Sequence, residues 1–82
     1  MAKRILIVED EELISKVLGI RLQNAGYTVE TAKDGNDGLE KAQKNPPDLA
    51  IIDIGLPKID GNTLCELIKN TDKTKKAKII IL

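Results

Sequence analysis

The sequence predicts an α/β domain built on a parallel sheet with helices on both faces. Four short aliphatic runs are typical of buried strands, and the segments between them carry apolar residues at helical spacing. Strands and helices therefore alternate as β-α-β-α-β-α-β. Because connections between parallel strands are right-handed, this order favours a doubly wound sheet. The length of 82 residues limits the chain to one domain, near the small end of those that fold unaided.

The first strand and the first helix are the clearest predicted elements. Ile5–Val8 is short, unbroken and mostly β-branched, as expected for a strand that is buried on both faces. The spacing predicts a helix over 11–25, and Gly26 suits the C′ position that ends it. On a helical wheel its apolar residues cover an arc of roughly 200°, which is wider than contact with one sheet requires.

The middle of the chain predicts a second strand and a weaker helix. Tyr27–Ala32 alternates as a strand, and Asp34-Gly35 reads as a turn. A helix is expected over 36–44, although Gly38 costs it ~1 kcal/mol relative to alanine. Pro46-Pro47 stops this helix.

The last part of the chain predicts two more strands around a third helix. Leu49–Asp53 is the third strand, and Pro57–Gly61 is a loop. Asn62 can cap a helix that carries Leu64, Leu67 and Ile68 on one face. A basic stretch over 73–78 leads to the fourth strand, Ile79–Leu82, and is expected to be a solvated linker.

Composition excludes several classes of function. Thirteen acids balance thirteen bases, so no global field attracts the chain to nucleic acid or to an anionic membrane. The lone Cys65 indicates a reducing compartment, and no run is long enough for a signal peptide or a membrane span, so a cytoplasmic location is expected. The absence of histidine excludes imidazole catalysis and imidazole metal ligands, which leaves carboxylates, lysines and backbone groups for chemistry.

Acidic residues follow two of the predicted strands. Glu9 and Asp10 end the first strand, and Asp53 closes the third. If those strands are neighbours, the three carboxylates meet at the carboxyl edge of the sheet, where open α/β sheets place their chemistry. Like charges at close range need a cation or a proton, so the pattern favours a divalent-ion site that serves phosphate. The simpler alternative is that Glu9 and Asp10 only favour the dipole of the helix that follows.

Four segments resemble a response-regulator receiver domain in order and spacing. They are Ile5-Leu6-Ile7-Val8-Glu9-Asp10-Glu11-Glu12, Asp34-Gly35, Pro47-Asp48-Leu49-Ala50-Ile51-Ile52-Asp53 and Leu56-Pro57-Lys58-Ile59-Asp60-Gly61. The resemblance implies the flavodoxin-like strand order 2-1-3-4-5, here with the fifth strand missing.

The resemblance also implies a role for individual residues. Asp53 corresponds to the phosphoacceptor of the family, and Mg²⁺ would be held by Glu9, Asp10, Asp53 and the main-chain carbonyl of Gly55. The implied partner is a histidine kinase or a phosphotransfer protein. Oxygen ligands of this kind suit Mg²⁺, and a carboxylate can act as the nucleophile that forms an aspartyl-phosphate.

The chain departs from the family pattern after Leu82. The Ser or Thr and the Lys that complete the family's switch have no counterpart, so residues 1–82 are expected to be a truncated receiver domain without its last strand and last two helices. Impaired switching follows from this expectation. The fourth strand and the first helix would leave apolar surface in water, so a homodimer through these two elements is expected.

The sequence therefore leaves three hypotheses of function open. The first is a receiver module, and the second is a self-associating folding or assembly fragment without signalling activity. The third is a hydrolase of the haloacid-dehalogenase type, which also uses a nucleophilic aspartate. That family usually carries its nucleophile after the first strand in an Asp-x-Asp motif, which Glu9-Asp10-Glu11 does not supply.

Overall fold

The computed structural model describes residues 3–53 and 78–81, which form a four-stranded parallel sheet and two helices. The strands are β1 (Arg4–Val8), β2 (Thr28–Ala32), β3 (Leu49–Ile52) and β4 (Lys78–Ile81), and the helices are α1 (Glu12–Asn24) and α2 (Gly35–Lys44). The strand order is β2-β1-β3-β4, with every pair parallel. The predicted fold class is confirmed.

The helix ends follow local rules, although α1 is one residue shorter at each end than the predicted 11–25 and α2 begins one residue earlier than predicted. Gly26 has φ 98°, the left-handed conformation that suits the residue after a helix, as predicted. Asp34 and Gly35 were predicted to form a turn ahead of a helix over 36–44, but Gly35 is already the first residue of α2. The reason is that Asp34 is the N-cap, and its side chain accepts a hydrogen bond of 2.8 Å from the amide of Asp37.

The core lies on both faces of the sheet because the central strands are buried on both sides. In β1 the residues from Ile5 to Val8 are at most 3% exposed. One cluster lies on the side of α2 and contains Leu6, Val8, Ala32, Ala42, Ala50 and Ile52, with Leu39 and Ile79 packed against it. The other lies on the side of α1 and contains Ile5, Ile7 and Ile51, with Leu18, Leu22, Val29 and Leu49 packed against it.

Helix α1 is apolar on more than the side that the sheet covers. Leu18 and Leu22 pack against the sheet, and Ser15 and Gly19 are buried. Four other apolar side chains of this helix are 43% to 73% exposed: Leu13, Ile14, Val17 and Ile20. The broad apolar arc predicted from the helical wheel is therefore present, and part of it faces water. Ile80 of β4 is also 47% exposed.

Gly38 allows α2 to pack closely on β1, and we expect its replacement to destabilise the fold. A Cβ added at Gly38 would lie 2.8 Å from Cγ2 of Val8, a fully buried β-branched residue. Gly38→Ala should lower the free energy of unfolding by roughly 1 kcal/mol, because an overpacking cost of about 1–3 kcal/mol outweighs a helix-propensity gain of ~1 kcal/mol. Urea unfolding followed by circular dichroism measures the change.

Gly19 in α1 is the matched control for this prediction. The nearest atom to an added Cβ there is Cγ1 of Val29 at 3.7 Å, an ordinary contact. Gly19→Ala should therefore raise the free energy of unfolding by up to about 1 kcal/mol. Equal stabilisation by the two substitutions would show that Val8 does not constrain Gly38.

Several predicted strands begin or end at residues other than the observed ones, and some predicted elements lie outside the described residues. Tyr27 precedes β2 and Asp53 follows β3, although both were predicted inside those strands, and Lys78 belongs to β4 rather than to the linker. The predicted loop over 57–61, the helix capped by Asn62 and Leu82 lie outside the described residues. Within residues 3–53 and 78–81, no helix has the length and apolar character that crossing a bilayer requires.

Candidate functional site

The sheet brings the ends of β1 and β3 side by side. Val8 is in register with Ile52, so the next residues, Glu9 and Asp53, leave the two strands at the same edge. Two backbone hydrogen bonds fix these residues. The Asp53 amide donates to the Val8 carbonyl at 3.0 Å, and the Glu9 amide donates to the Ala32 carbonyl of β2 at 3.0 Å. The backbone that carries the acids is therefore tied to three strands.

The three predicted acids converge at this edge. Glu9, Asp10 and Asp53 can each offer one carboxylate oxygen such that the three oxygens lie within 4.8 Å of one another. Glu9 is buried at 7% exposure, Asp53 is half-buried and Asp10 is exposed. The structure thus brings together three of the four residues predicted to hold a metal. Gly55, the fourth, lies outside the described residues.

The electrostatics of the cluster centre on Glu9. Burial, a hydrogen bond with the Asp53 side chain and repulsion from Asp53, Asp10 and Glu11 raise the pKa of Glu9 to about 7. A hydrogen bond between two carboxyl groups requires a proton, so protonated Glu9 donates to Asp53. The cluster is therefore partly protonated near neutral pH, and a divalent cation could replace the proton.

The donor set fits Mg²⁺. This ion takes oxygen ligands, keeps several waters, and is commonly held by one or two carboxylates together with substrate phosphate. The oxygens here come from one buried, one half-buried and one exposed carboxylate, so the site is fixed on one side and open to solvent on the other. Such an arrangement can hold a partly hydrated cation.

Residues that the sequence reasoning missed line a cavity of about 550 Å³ beside the acids. Glu9 and Asp10 share this cavity with Ser15 of α1 and with side chains of the β2–α2 region, namely Thr31, Lys33, Asp37 and Lys41. Asp37 and Lys41 form an ion pair at 3.2 Å. Their i,i+4 spacing on a predicted helix is the signal that could have identified them.

The chain is similar to known signalling proteins. The family model for the response regulator receiver domain matches residues 5–82 of the sequence. The chain is 45% identical, over 84% of its length, to the alkaline phosphatase synthesis transcriptional regulatory protein PhoP of Bacillus subtilis. It is 42% identical, over 87% of its length, to the response regulator ArlR of Staphylococcus aureus. The chain spans 29% and 32% of these two relatives, respectively.

Solved structures give the same result for the fold. The chemotaxis response regulator CheY4 of Vibrio cholerae superimposes with a TM-score of 0.94 at 33% identity, over 99% of this chain and 68% of that one. A response regulator from Chloroflexus aurantiacus superimposes with a TM-score of 0.92 at 37% identity, over 99% of this chain and 66% of that one. Both identities are high enough for the likeness to concern the family as well as the fold.

Proposed function

The chain belongs to the response regulator receiver domain family, and we propose on this basis that Asp53 is its phosphoacceptor. Receiver domains act in two-component systems and interact with histidine kinases or phosphotransfer proteins, so the hydrolase hypothesis is set aside. The observation that carries the proposal is the convergence of Glu9, Asp10 and Asp53 at the carboxyl edge of the sheet. It supports a site at which an acidic nucleophile and a cation act together.

The proposed reaction is transfer of a phosphoryl group from a phosphohistidine to Asp53. A carboxylate oxygen of Asp53 attacks phosphorus, the phosphorus–nitrogen bond breaks, and the imidazole leaves with the electron pair and takes up a proton. The product is an aspartyl-phosphate. None of the 82 residues is a histidine, so the phosphohistidine that serves as donor lies outside this sequence. The half-buried position of Asp53 supports this role, because the side chain is held by the sheet yet accessible to a donor.

We propose that Mg²⁺ is held by Glu9, Asp10, Asp53 and the carbonyl of Gly55. When bound, the ion would neutralise charge on the phosphoryl oxygens during transfer. Asp10 is the exposed carboxylate of the cluster, and Glu9 is the buried one. Glu9 must lose its proton to bind the ion, and with a pKa of about 7 it is only partly ionised near neutral pH. This requirement couples cation binding to pH.

The experiment that tests this function is intact-mass measurement after incubation with a small phosphodonor. Prolonged incubation of the chain with phosphoramidate and Mg²⁺ should add one phosphoryl group per chain, and omission of Mg²⁺ should prevent the addition. A chain that stays unmodified with Mg²⁺ present, while a characterised receiver domain is labelled in parallel, would contradict the proposal.

We also propose that the chain forms a homodimer, the assembly that the alternative hypothesis of a self-associating fragment requires. The observation that favours it is the exposed apolar surface of Leu13, Val17 and Ile20 on α1 and of Ile80 on β4. Exposed apolar surface of this kind often marks an interface, and a two-fold dimer is the commonest way to bury it. A second copy of the chain offers the same apolar surface in return.

Sedimentation equilibrium at micromolar concentration tests this dimer. The wild-type chain should sediment as a dimer. The double substitution Leu13→Lys and Ile20→Lys should raise the dissociation constant of the dimer at least tenfold, because it places charge in the apolar stripe formed by Leu13, Val17 and Ile20. Lys16→Gln in the same helix is a control that leaves the stripe intact. A folded wild-type chain that stays monomeric over the whole concentration range would contradict the dimer.

We propose a cytoplasmic location, which the lone Cys65 supports because reducing compartments preserve free thiols. The predictions of a truncated domain and of impaired switching stay predictions.

A further inference from the structure

Lys41 joins the end of β2 to helix α2. Its ammonium group donates to the main-chain carbonyl of Thr31 at 2.6 Å and pairs with the Asp37 carboxylate at 3.2 Å. The same Asp37 oxygen accepts from the amide of Lys33 at 3.3 Å. The lysine side chain is about a third exposed, at 34%. The network therefore ties the end of β2 and Lys33, the residue that follows the strand, to the first two turns of α2.

This network lies one peptide group away from the candidate cation site. The carbonyl of Thr31, which Lys41 holds, is followed by the carbonyl of Ala32, which accepts the Glu9 amide at 3.0 Å. Lys41, Thr31 and Ala32 also line the cavity into which Glu9 and Asp10 face. A shift of the Thr31 carbonyl would move its neighbour Ala32 and, with it, the backbone of Glu9.

We propose that Lys41 is a positioning residue for the cation site. It holds the end of β2 against α2, and through the Ala32 carbonyl it keeps Glu9 where its carboxylate converges with those of Asp10 and Asp53. The inference rests on the proposed function, since it assigns Lys41 a role toward Mg²⁺ at that site. Lys41 acts only through the backbone and does not contact the ion.

The direction of the effect separates this role from a simple effect of charge. A lysine near a cluster of acids repels a cation, so its removal would by Coulomb's law leave Mg²⁺ binding unchanged or tighter. Loss of a positioning contact has the opposite effect, because ligands that are no longer held in place bind a metal more weakly. Loss of groups that orient metal ligands typically costs about 10–100-fold in affinity. Lys41→Met should therefore weaken Mg²⁺ binding about tenfold.

Isothermal titration calorimetry with Mg²⁺ at pH 8.5 tests the proposal. Lys44→Met is the matched control, because it removes the same charge from the next turn of α2 at an exposed position that does not line the cavity. Lys44→Met should bind Mg²⁺ as the wild type does, and Lys41→Arg, which keeps the charge and a donor, should retain most of the affinity. Hydrogen exchange at the Glu9 amide, without metal, should be faster in Lys41→Met than in Lys44→Met.

The possible results are distinguishable. If the wild type binds Mg²⁺ and Lys41→Met binds it equally well or more tightly, the positioning role is overturned and the proposed function stands. If the wild type binds no Mg²⁺, the proposed cation site is overturned together with the role of Lys41 in it. If Lys41→Met does not fold, Lys41→Gln is compared with Lys44→Gln, and equal affinities of that pair overturn the inference.

Discussion

Asp53→Asn is expected to abolish phosphorylation and to weaken Mg²⁺ binding at least tenfold. The amide cannot form the aspartyl-phosphate, and it removes one of the three carboxylates that converge within 4.8 Å. A full charge at about 4 Å from a cation is worth several kcal/mol at the effective dielectric of a protein surface, and a tenfold loss of affinity needs only about 1.4 kcal/mol. The substitution preserves the shape of the side chain, so the fold should be kept.

Mass spectrometry measures the phosphorylation and calorimetry the affinity. Glu40→Gln is the matched control, since it removes one acid from an exposed position on α2. The control should be labelled like the wild type and bind Mg²⁺ with the same affinity. Equal Mg²⁺ binding by Asp53→Asn and the wild type would show that Asp53 is not part of the cation site.

The metal-free chain is expected to lose stability as the pH rises from about 5 to 8. Glu9 has a pKa of about 7 in the folded chain against an ordinary value of 4.5. Between these two values the folded chain keeps a proton that the unfolded chain has released. The free energy of unfolding must therefore fall with rising pH, by an amount on the order of 1–3 kcal/mol over the full interval once solvent screening is allowed for. Below pH 4.5 both states are protonated and this contribution is constant.

Urea unfolding at pH 5 and pH 8, with and without Mg²⁺, measures this dependence. Glu9→Gln is the control, because glutamine keeps the shape of the protonated acid but cannot ionise. The variant should lose much less stability than the wild type over the same interval. Saturating Mg²⁺ should offset most of the loss in the wild type, since cation and proton compete for Glu9. The same pH dependence in Glu9→Gln and the wild type would contradict the assignment of the raised pKa.

The sheet could be predicted from the sequence because burial on both faces leaves a simple pattern. Ile5–Val8 has no polar residue, and all four of its side chains are buried. The convergence of Glu9, Asp10 and Asp53 followed from strand ends alone, once neighbouring parallel strands were assumed. The pattern does not reveal which acid is buried. Glu9 is distinguished from Asp10 only by its place at the end of β1, where its amide pairs with Ala32 of another strand.

Specific contacts in the folded chain account for what the sequence did not reveal. The pair Asp34-Gly35 is compatible with a turn and with the start of a helix. The hydrogen bond that the Asp37 amide donates to the Asp34 side chain makes Asp34 the N-cap of a helix. Lys41 reads as an ordinary exposed lysine, because its second partner is a main-chain carbonyl ten residues earlier. Gly38 reads as a weak point of its helix, and only its distance to Val8 shows that the site demands a small residue.

The position of the phosphoryl group shows directly whether Asp53 is the phosphoacceptor. After prolonged incubation with phosphoramidate and Mg²⁺, reduction with borohydride converts an aspartyl-phosphate to homoserine, which peptide sequencing by mass spectrometry locates. We expect homoserine at residue 53 and at no other acid, in amounts that depend on Mg²⁺. Homoserine at Asp10, Asp60 or another acid, or a phosphoryl group on a hydroxyl side chain with Asp53 unmodified, would contradict the assignment of Asp53 as the phosphoacceptor.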